Sequence, residues 1–328
     1  MEKFYREIFF PYIDEHGIQV IVDLGDTFEH RKYINFNAFY MSKDFWFDEI
    51  AKRNISHHII VGNHCSYFKN TLLVNSPDLL FSNYSNIIVH SSPTEVEIDK
   101  AKIIMMPWMC QDNMNDAIEL MNSTSARVLF GHLELAGFEM YKGGIIEHGM
   151  DSNIFDKFDV VCSGHYHHKS TKGNINYLGC PYEMTWSDYN DTKGFHIFDT
   201  ETLELTFIPN PYTMFNKIFY NDSILTLEEI QDFDFSSLTD TYVKIHVLEK
   251  NNPYWFDILV DKLEKANPAS IQIIDDTSYI LNDSEDDFLE KEDTLTLLKK
   301  YLDVQDDEQR NRASNMMQSL YFEAQNLV

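Results

Sequence analysis

Four short stretches of the chain share one pattern: an apolar run closed by glycine and followed by a side chain that can bind a cation. IVDLGD delivers Asp26, HIIVGNH delivers Asn63 and His64, RVLFGH delivers His132, and VVCSGHYH delivers His165 and His167. One carboxylate, one amide oxygen and three imidazoles (His132, His165, His167) make a mixed oxygen and nitrogen donor set, which suits Mn²⁺, Fe²⁺ or Zn²⁺ better than a thiolate-seeking ion. A carboxylate such as Asp26 can bridge two ions, and ions about 3.5 to 4 Å apart can clamp the attacking and leaving oxygens of a phosphate displacement. His64 follows Asn63 directly and need not be a ligand. Beside a phosphate it could steady transition-state charge or protonate the leaving oxygen.

For any one of these residues a plainer reading exists. The chain has 13 histidines, and a lone histidine is most often a surface or capping residue. His16, His30, His57, His58, His90, His148, His196 and His246 are placed in that class, and His168 is left unassigned. Four strand ends with the same punctuation favour a metal site. Cys65, Cys110, Cys162 and Cys180 are scattered and form no CxxC, so they read as buried thiols rather than as a zinc ribbon or a disulfide framework.

The elements that must position these groups follow from the pattern. In an open α/β sheet ligands collect beyond the carboxyl ends of the strands, and glycine lets the backbone turn tightly enough to aim the next side chain there. The runs 18–24, 57–61, 127–130 and 160–163 are therefore expected as strands, with others at 102–106, 195–198 and 203–207. Helical spacing appears over 2–16, 37–52, 112–121 and 151–155. The alternation predicts a layered α/β domain over 1–208. IPNPYTMF (208–215), with two prolines, reads as a linker.

A small β-α-β cap is expected over 209–280, from a strand at 241–249, a helix at 255–266 and a strand at 269–274. In 281–328 the run NDSEDDFLEKED (282–293) reads as a solvated tether. Beyond it Ala313, Met316, Met317, Leu320, Tyr321 and Ala324 share one helical face, which could dock on its own core or hold a partner.

Composition bounds the class. A chain of 328 residues with 44% hydrophobic and 14% aromatic residues can bury a full core. No apolar run approaches the length of a membrane span and no secretory or transit signal is evident, so a cytoplasmic protein is expected. The 53 acidic against 26 basic residues give a net charge of −27. A protein that held a polyanion by itself would show a basic footprint. Either the ligand is not a polyanion, or a metal and a partner supply positive charge.

Taken together, Gly25, Asp26 and Glu29, the G-N-H of 62–64, the G-H of 131–132 and the G-H-x-H of 164–167 resemble the motifs of calcineurin-like metallophosphoesterases. Within that superfamily the chain is similar to the SbcD-like nuclease branch, and in particular to nuclease subunits of tailed-phage recombination endonucleases. GDTFEHRK, MPWMCQDN, YKGG, YLGCPY and GFHIFDTET add local similarity, so the resemblance covers about residues 2–208 and continues more weakly beyond. It implies a β-sandwich flanked by helices and a Mn²⁺-dependent nuclease acting on DNA ends. It also implies an SMC-like ATPase as partner, gripped by the C-terminal helices, and a homodimer within the complex.

By motif, Asp26 bridges, Asn63, His132 and His165 complete one metal site, His167 belongs to the other, and His64 is the catalytic histidine. Two departures from the family pattern stand out. The family opens with a strand ending in D-x-H, which supplies two ligands to the metal that His167 also binds. Here Met1 falls inside the helix that should follow it, so an N-terminally incomplete domain is expected. Cys65 stands where the family places an acidic residue, and losing an outer partner of that kind typically costs about 10- to 100-fold in metal affinity or activity. The alternatives are a catalytically impaired structural subunit of the same complex and a phosphatase or phosphodiesterase with a small substrate.

Overall fold

The computed structural model describes residues 1–275; the acidic tether and the apolar face expected near the C-terminus lie outside the described residues. The chain divides into two compact units, the first Met1–Met214 and the second beginning at Phe215. Each is a mixed α/β unit.

In the first unit, strands β1 (Val20–Asp23), β2 (Ser56–Ile60) and β3 (Ile87–His90) form a parallel sheet in that order. Strands β4 (Thr94–Ile98), β5 (Ala101–Met106) and β6 (Val128–Gly131) belong to a second sheet. A short hairpin, β7 (Glu139–Tyr141) and β8 (Gly144–Ile145), precedes β9 (Val160–Ser163), β10 (Ser170–Lys172) and β11 (Ile175–Tyr177). The second sheet has the order β10-β11-β9-β6-β5-β4, with its four central strands parallel and both edge pairs antiparallel. The hairpin of β12 (Gly194–Phe198) and β13 (Leu205–Pro209) stands as a separate pair.

Side-chain alternation along the strands explains the layering. Ile103, Met105, Val128, Phe130 and Cys162 point to one face of the large sheet, where they meet Val22 of β1 and Leu24 just beyond it, Ile60 of β2, and Phe198 and Leu205 of the hairpin. Ile104, Met106, Leu129 and Val161 point to the other face and pack on Ala117 and Met121 of the helix Met114–Ser123. The outer face of the small sheet is covered by the helical run from Glu2 to His16, through Phe4, Phe9, Phe10 and Ile13, and by the run from Phe36 to Lys52, through Phe45, Phe47 and Ile50. The layers run helix, sheet, sheet, helix.

Several sequence-based expectations shift. Both helical runs contain a π-helical turn, Tyr5–Phe9 and Lys43–Phe47. The first ends at Gly17, in a left-handed conformation (φ 63°), and the second starts on Asn35, whose side chain accepts from Asn37 N and Ala38 N. Strands β3, β4, β10 and β11 and the helix Ser76–Phe81 were not anticipated. The expected linker at 208–215 begins inside β13, where Ile208 and Pro209 pair with Phe195 and Gly194. Pro209, with no N–H to give, is the last residue of that strand. The strand expected from Leu203 starts instead at Leu205, because Leu203 sits in a turn with φ 63° that Asp199 closes by accepting from Glu201 N and Thr202 N.

His57, His58, His90 and His246, expected at surfaces or caps, are buried instead. The first three lie in β2 and β3, whose sheet is covered on both faces. His58 Nδ1 and His90 Nε2 meet at 2.9 Å.

The second unit is a parallel sheet of β14 (Phe215–Asn221), β15 (Tyr242–Glu249) and β16 (Ser270–Ile274). It packs on the helix Pro253–Lys265 through Val243, Ile245, Phe256, Leu259 and Leu263. Among the described residues it has one strand more than the β-α-β expected.

Candidate metal centre

The carboxyl ends of β1, β2, β5, β6 and β9 carry the segments that hold Asp26, Asn63, Trp108, His132 and His165, so both sheets contribute to one site. Asp26, His132 and His165 each offer a ligand atom, and these atoms all lie within 4.8 Å of one another, the only such group of three or more among the described residues. Asn63 joins them: its Oδ1 is 3.0 Å from His132 Nε2 and 3.2 Å from His165 Nδ1.

His132 is fully buried, and its Nδ1 lies 2.7 Å from the carbonyl oxygen of Leu24. A carbonyl can only accept, so Nδ1 carries the proton and Nε2 is turned to the other side. There Nε2 faces Asp26 Oδ2 at 3.0 Å as well as Asn63 Oδ1. Three electron-rich atoms converging in this way require a positive centre among them, a proton or a metal ion. Burial works against a charge on His132, yet the Asp26 carboxylate raises its pKa above the ordinary imidazole value. Burial would likewise raise Asp26, but His132, and then His64, hold it well below the usual carboxylate range. Burial, followed by the like charge of His132, pulls His165 down to about 3. Its Nε2 is a buried nitrogen without a hydrogen-bond partner.

Two of these residues are held in backbone conformations that L-residues avoid, Asp26 at φ 54° and His165 at φ 78°. Each costs on the order of 1 kcal/mol or more, and such strain clusters at functional sites. The glycines act mainly by leaving room rather than by turning the chain. A Cβ on Gly62 would fall on Asp26 Oδ1 and 2.6 Å from Asp26 N, and one on Gly164 would sit 2.6 Å from the Leu24 carbonyl. Only Gly25 also needs a positive φ, 104°, and its Cβ would fall on His132 Nδ1. The strand ends converge because nothing projects between them.

His64 borders the cluster. Its backbone N–H donates to Asp26 Oδ1 at 2.7 Å, and its Nδ1 donates to the Glu29 carbonyl at 2.6 Å, which leaves Nε2 as the outward nitrogen. His167 stands outside the group of three. Its N–H donates to Met140 O, and its carbonyl accepts from Lys193 Nζ at 2.7 Å. His168, unassigned from sequence, lies 3.0 Å from Asp191 and 3.6 Å from Glu139. Cys65 is buried with Val61, Leu72 and Cys110, and burial followed by the charge of Asp26 pushes its thiol up to about 11.

Three contributors were not recognised from sequence. Asp23, at the end of β1, accepts from Gly25 N and Thr27 Oγ1, both at 3.0 Å, which shapes the loop that presents Asp26. Burial raises its pKa to about 6. Its position at a strand end was visible in the motif DLGD. Trp108 packs 5.1 Å from the His165 ring and 6.1 Å from the His132 ring. Lys193 is buried against Asp188 and Asp191, at 2.8 Å from each, while holding the His167 carbonyl. No spacing signal marks Trp108 or Lys193.

No protein-family model matches the chain. It is 32% identical over 294 residues to exonuclease subunit 1 of Enterobacteria phage T4, covering 89% of this chain and 83% of that protein. It is 27% identical over 199 residues to the SbcD subunit of the SbcCD nuclease of Staphylococcus epidermidis, covering 52% of this chain and 53% of that one. The corresponding Staphylococcus saprophyticus protein is 31% identical over 101 residues, covering 28% and 27%. With nine-tenths of its length matched to the phage subunit at 32% identity, the chain belongs to the SbcD-like family of nuclease subunits.

Proposed function

We propose that the chain is the nuclease subunit of a recombination or repair complex, hydrolysing phosphodiester bonds at DNA ends with Mn²⁺, in a calcineurin-like metallophosphoesterase domain. The observation that carries this reading is the convergence of Asp26, His132 and His165, with Asn63 Oδ1 between the two rings and His165 Nε2 buried without a partner. A divalent ion fits this donor set, which has hard oxygens and imidazoles and no thiolate. Asp26, Asn63, His132 and His165 would hold it, and His167 would serve a second ion. When bound, such an ion polarises the phosphate and lowers the pKa of a water.

The chain's own residues do the rest. The Leu24 carbonyl fixes the tautomer and orientation of His132, and the His64 N–H fixes one oxygen of Asp26. Trp108 walls one side, next to a cavity of about 250 Å³ that His132, Glu134 and Met150 also line. His64, with Nε2 as its outward nitrogen, would serve the leaving oxygen as general acid. The relatives are named as subunits, which supports a partner, and we take it to be an SMC-like ATPase, with two copies of this chain in the assembly and the host cytoplasm as its setting.

A second reading, a subunit with this architecture that no longer hydrolyses DNA, is favoured by the single group of three metal-binding side chains among the described residues. A Mn²⁺ titration combined with hydrolysis of bis(p-nitrophenyl) phosphate and of end-labelled DNA separates the two. The proposal expects Mn²⁺-stimulated cleavage, and His64→Ala should slow it by about 10²- to 10⁴-fold while still binding Mn²⁺. Unchanged rates in that variant would remove His64 from the mechanism, and bound Mn²⁺ without cleavage would favour the second reading.

A further inference from the structure

Beside the metal centre two loops expose aromatic rings and cations together. The segment TFEHRKYIN (27–35) and the segment HCSYFKN (64–70) carry Arg31, Lys32 and Lys69 with Glu29 as their one acidic residue, in a chain whose net charge is −27. The loops are joined to each other and to the site. His64 bonds to the Glu29 carbonyl, Lys32 Nζ lies 5.7 Å from the centre of the Tyr67 ring, and an Arg31 amino group lies 3.5 Å from the Ser66 carbonyl.

The second loop is also braced by its own hydrogen bonds. Ser66 pairs with Asn75 across its base, Tyr67 N donates to Val74 O, and the Ser66 hydroxyl bridges the carbonyls of Phe68 and Thr71. On this frame Tyr67 and Phe68 remain 44% and 45% exposed, edge to face at 4.8 Å. Tyr33 is 66% exposed and stacks on His30 at 4.5 Å.

Exposed rings held on a braced loop cost little entropy when a flat group stacks on them, and flanking cations suit a polyanionic backbone. We propose that Tyr67, Phe68 and Tyr33 form a stacking platform for the unpaired bases of single-stranded DNA, with Arg31, Lys32 and Lys69 on its phosphates, so that the strand leads into the metal centre. This rests on the nuclease reading and narrows its substrate to a frayed or single-stranded end. Paired bases hide their faces in the stack, so a platform of this kind discriminates against an intact duplex.

The test uses the full chain in EDTA, so that nothing is cut. Binding of a fluorescein-labelled oligo(dT) is compared with binding of a blunt duplex of equal length by anisotropy. The wild-type protein should hold the single strand more tightly, and Tyr67→Ala with Phe68→Ala should weaken that binding about tenfold or more. An oligonucleotide carrying 5-iodouracil should photocrosslink within 66–70 of the unsubstituted protein, a readout that needs no variant to fold. Equal affinity for duplex and single strand, wild-type binding by the double variant, crosslinks elsewhere, or capture of the partner protein at these rings in place of DNA would each overturn the platform. Mn²⁺-dependent hydrolysis of bis(p-nitrophenyl) phosphate is measured on a second aliquot of the same preparation, with Mn²⁺ in place of EDTA. Hydrolysis without single-strand preference sinks the platform alone, and single-strand binding without hydrolysis sinks the nuclease reading alone.

Discussion

Gly62 illustrates how much one missing side chain decides. The Asp26 loop from one strand end lies on the position that a Cβ at residue 62 would occupy, so the carboxylate reaches His132 and the His64 N–H only because that position is bare. Gly62→Ala should therefore displace Asp26 and cost about 1 to 3 kcal/mol of stability, as overpacking of a closed site does. A urea titration together with Mn²⁺ affinity checks this, and a variant that binds the ion as the parent does would show that the loop yields freely. The same crowding explains why Asp26 and His165 tolerate positive φ. Converging strand ends leave few other ways to aim three side chains at one point.

At the scale of elements, the segment 183–193 fastens the loop that carries His165 and His167. Lys193 is 4% exposed, and its ammonium is shared by Asp188, Asp191 and the His167 carbonyl. Removing one partner of such a buried pair leaves the other charge uncompensated, so Lys193→Met is expected to lose about 3 to 5 kcal/mol in denaturant unfolding. A smaller loss would mean that water reaches Asp188.

Strand β2 makes a different prediction. His57 is fully buried between the rings of Trp46 and Phe47, neither ring nitrogen has a hydrogen-bond partner among the described residues, and burial followed by the charge of His58 lowers its pKa to about 3. The folded protein thus keeps His57 neutral, while the unfolded chain takes up a proton below its ordinary value of about 6.5. Between those two values the unfolded state binds more protons, so stability falls as pH falls, by about 1.4 kcal/mol per unit from this group. His57→Phe should flatten the decline measured from pH 6 to pH 4, and an unchanged slope would place the acid sensitivity elsewhere.

For the whole molecule the dominant quantity is the net charge of −27. A chain this acidic can engage phosphates only through local cationic patches, and the platform supplies three cations. Since each neutralised phosphate of a single strand contributes about −0.7 to the salt slope, log K against log[salt] should have a slope of about −2 for the isolated chain. A much steeper slope, measured by anisotropy over a salt series, would reveal a larger basic surface than Arg31, Lys32 and Lys69 provide. Among the described residues no helix is long and apolar enough to cross a membrane.

The candidate donors and the strands that carry them were legible in the sequence, because an apolar run closed by glycine and then by a polar side chain is a local signal. The helices at 2–16 and 37–52 were legible for the same reason, through their periodicity. Short edge strands such as β4 and β10 were not, since three to five residues with mixed polarity carry too little pattern to separate from a loop. Residue types alone therefore specified Asp26, Asn63, His132 and His165 as candidate donors. That His57, His58 and His90 lie in the core, that Asp23, Trp108 and Lys193 support the site, and that His167 stands apart from the three clustered donors were decided only by tertiary structure. Burial and convergence depend on which strands become neighbours, and the pairing of β6 with β9 and of β1 with β2 joins positions some thirty residues or more apart.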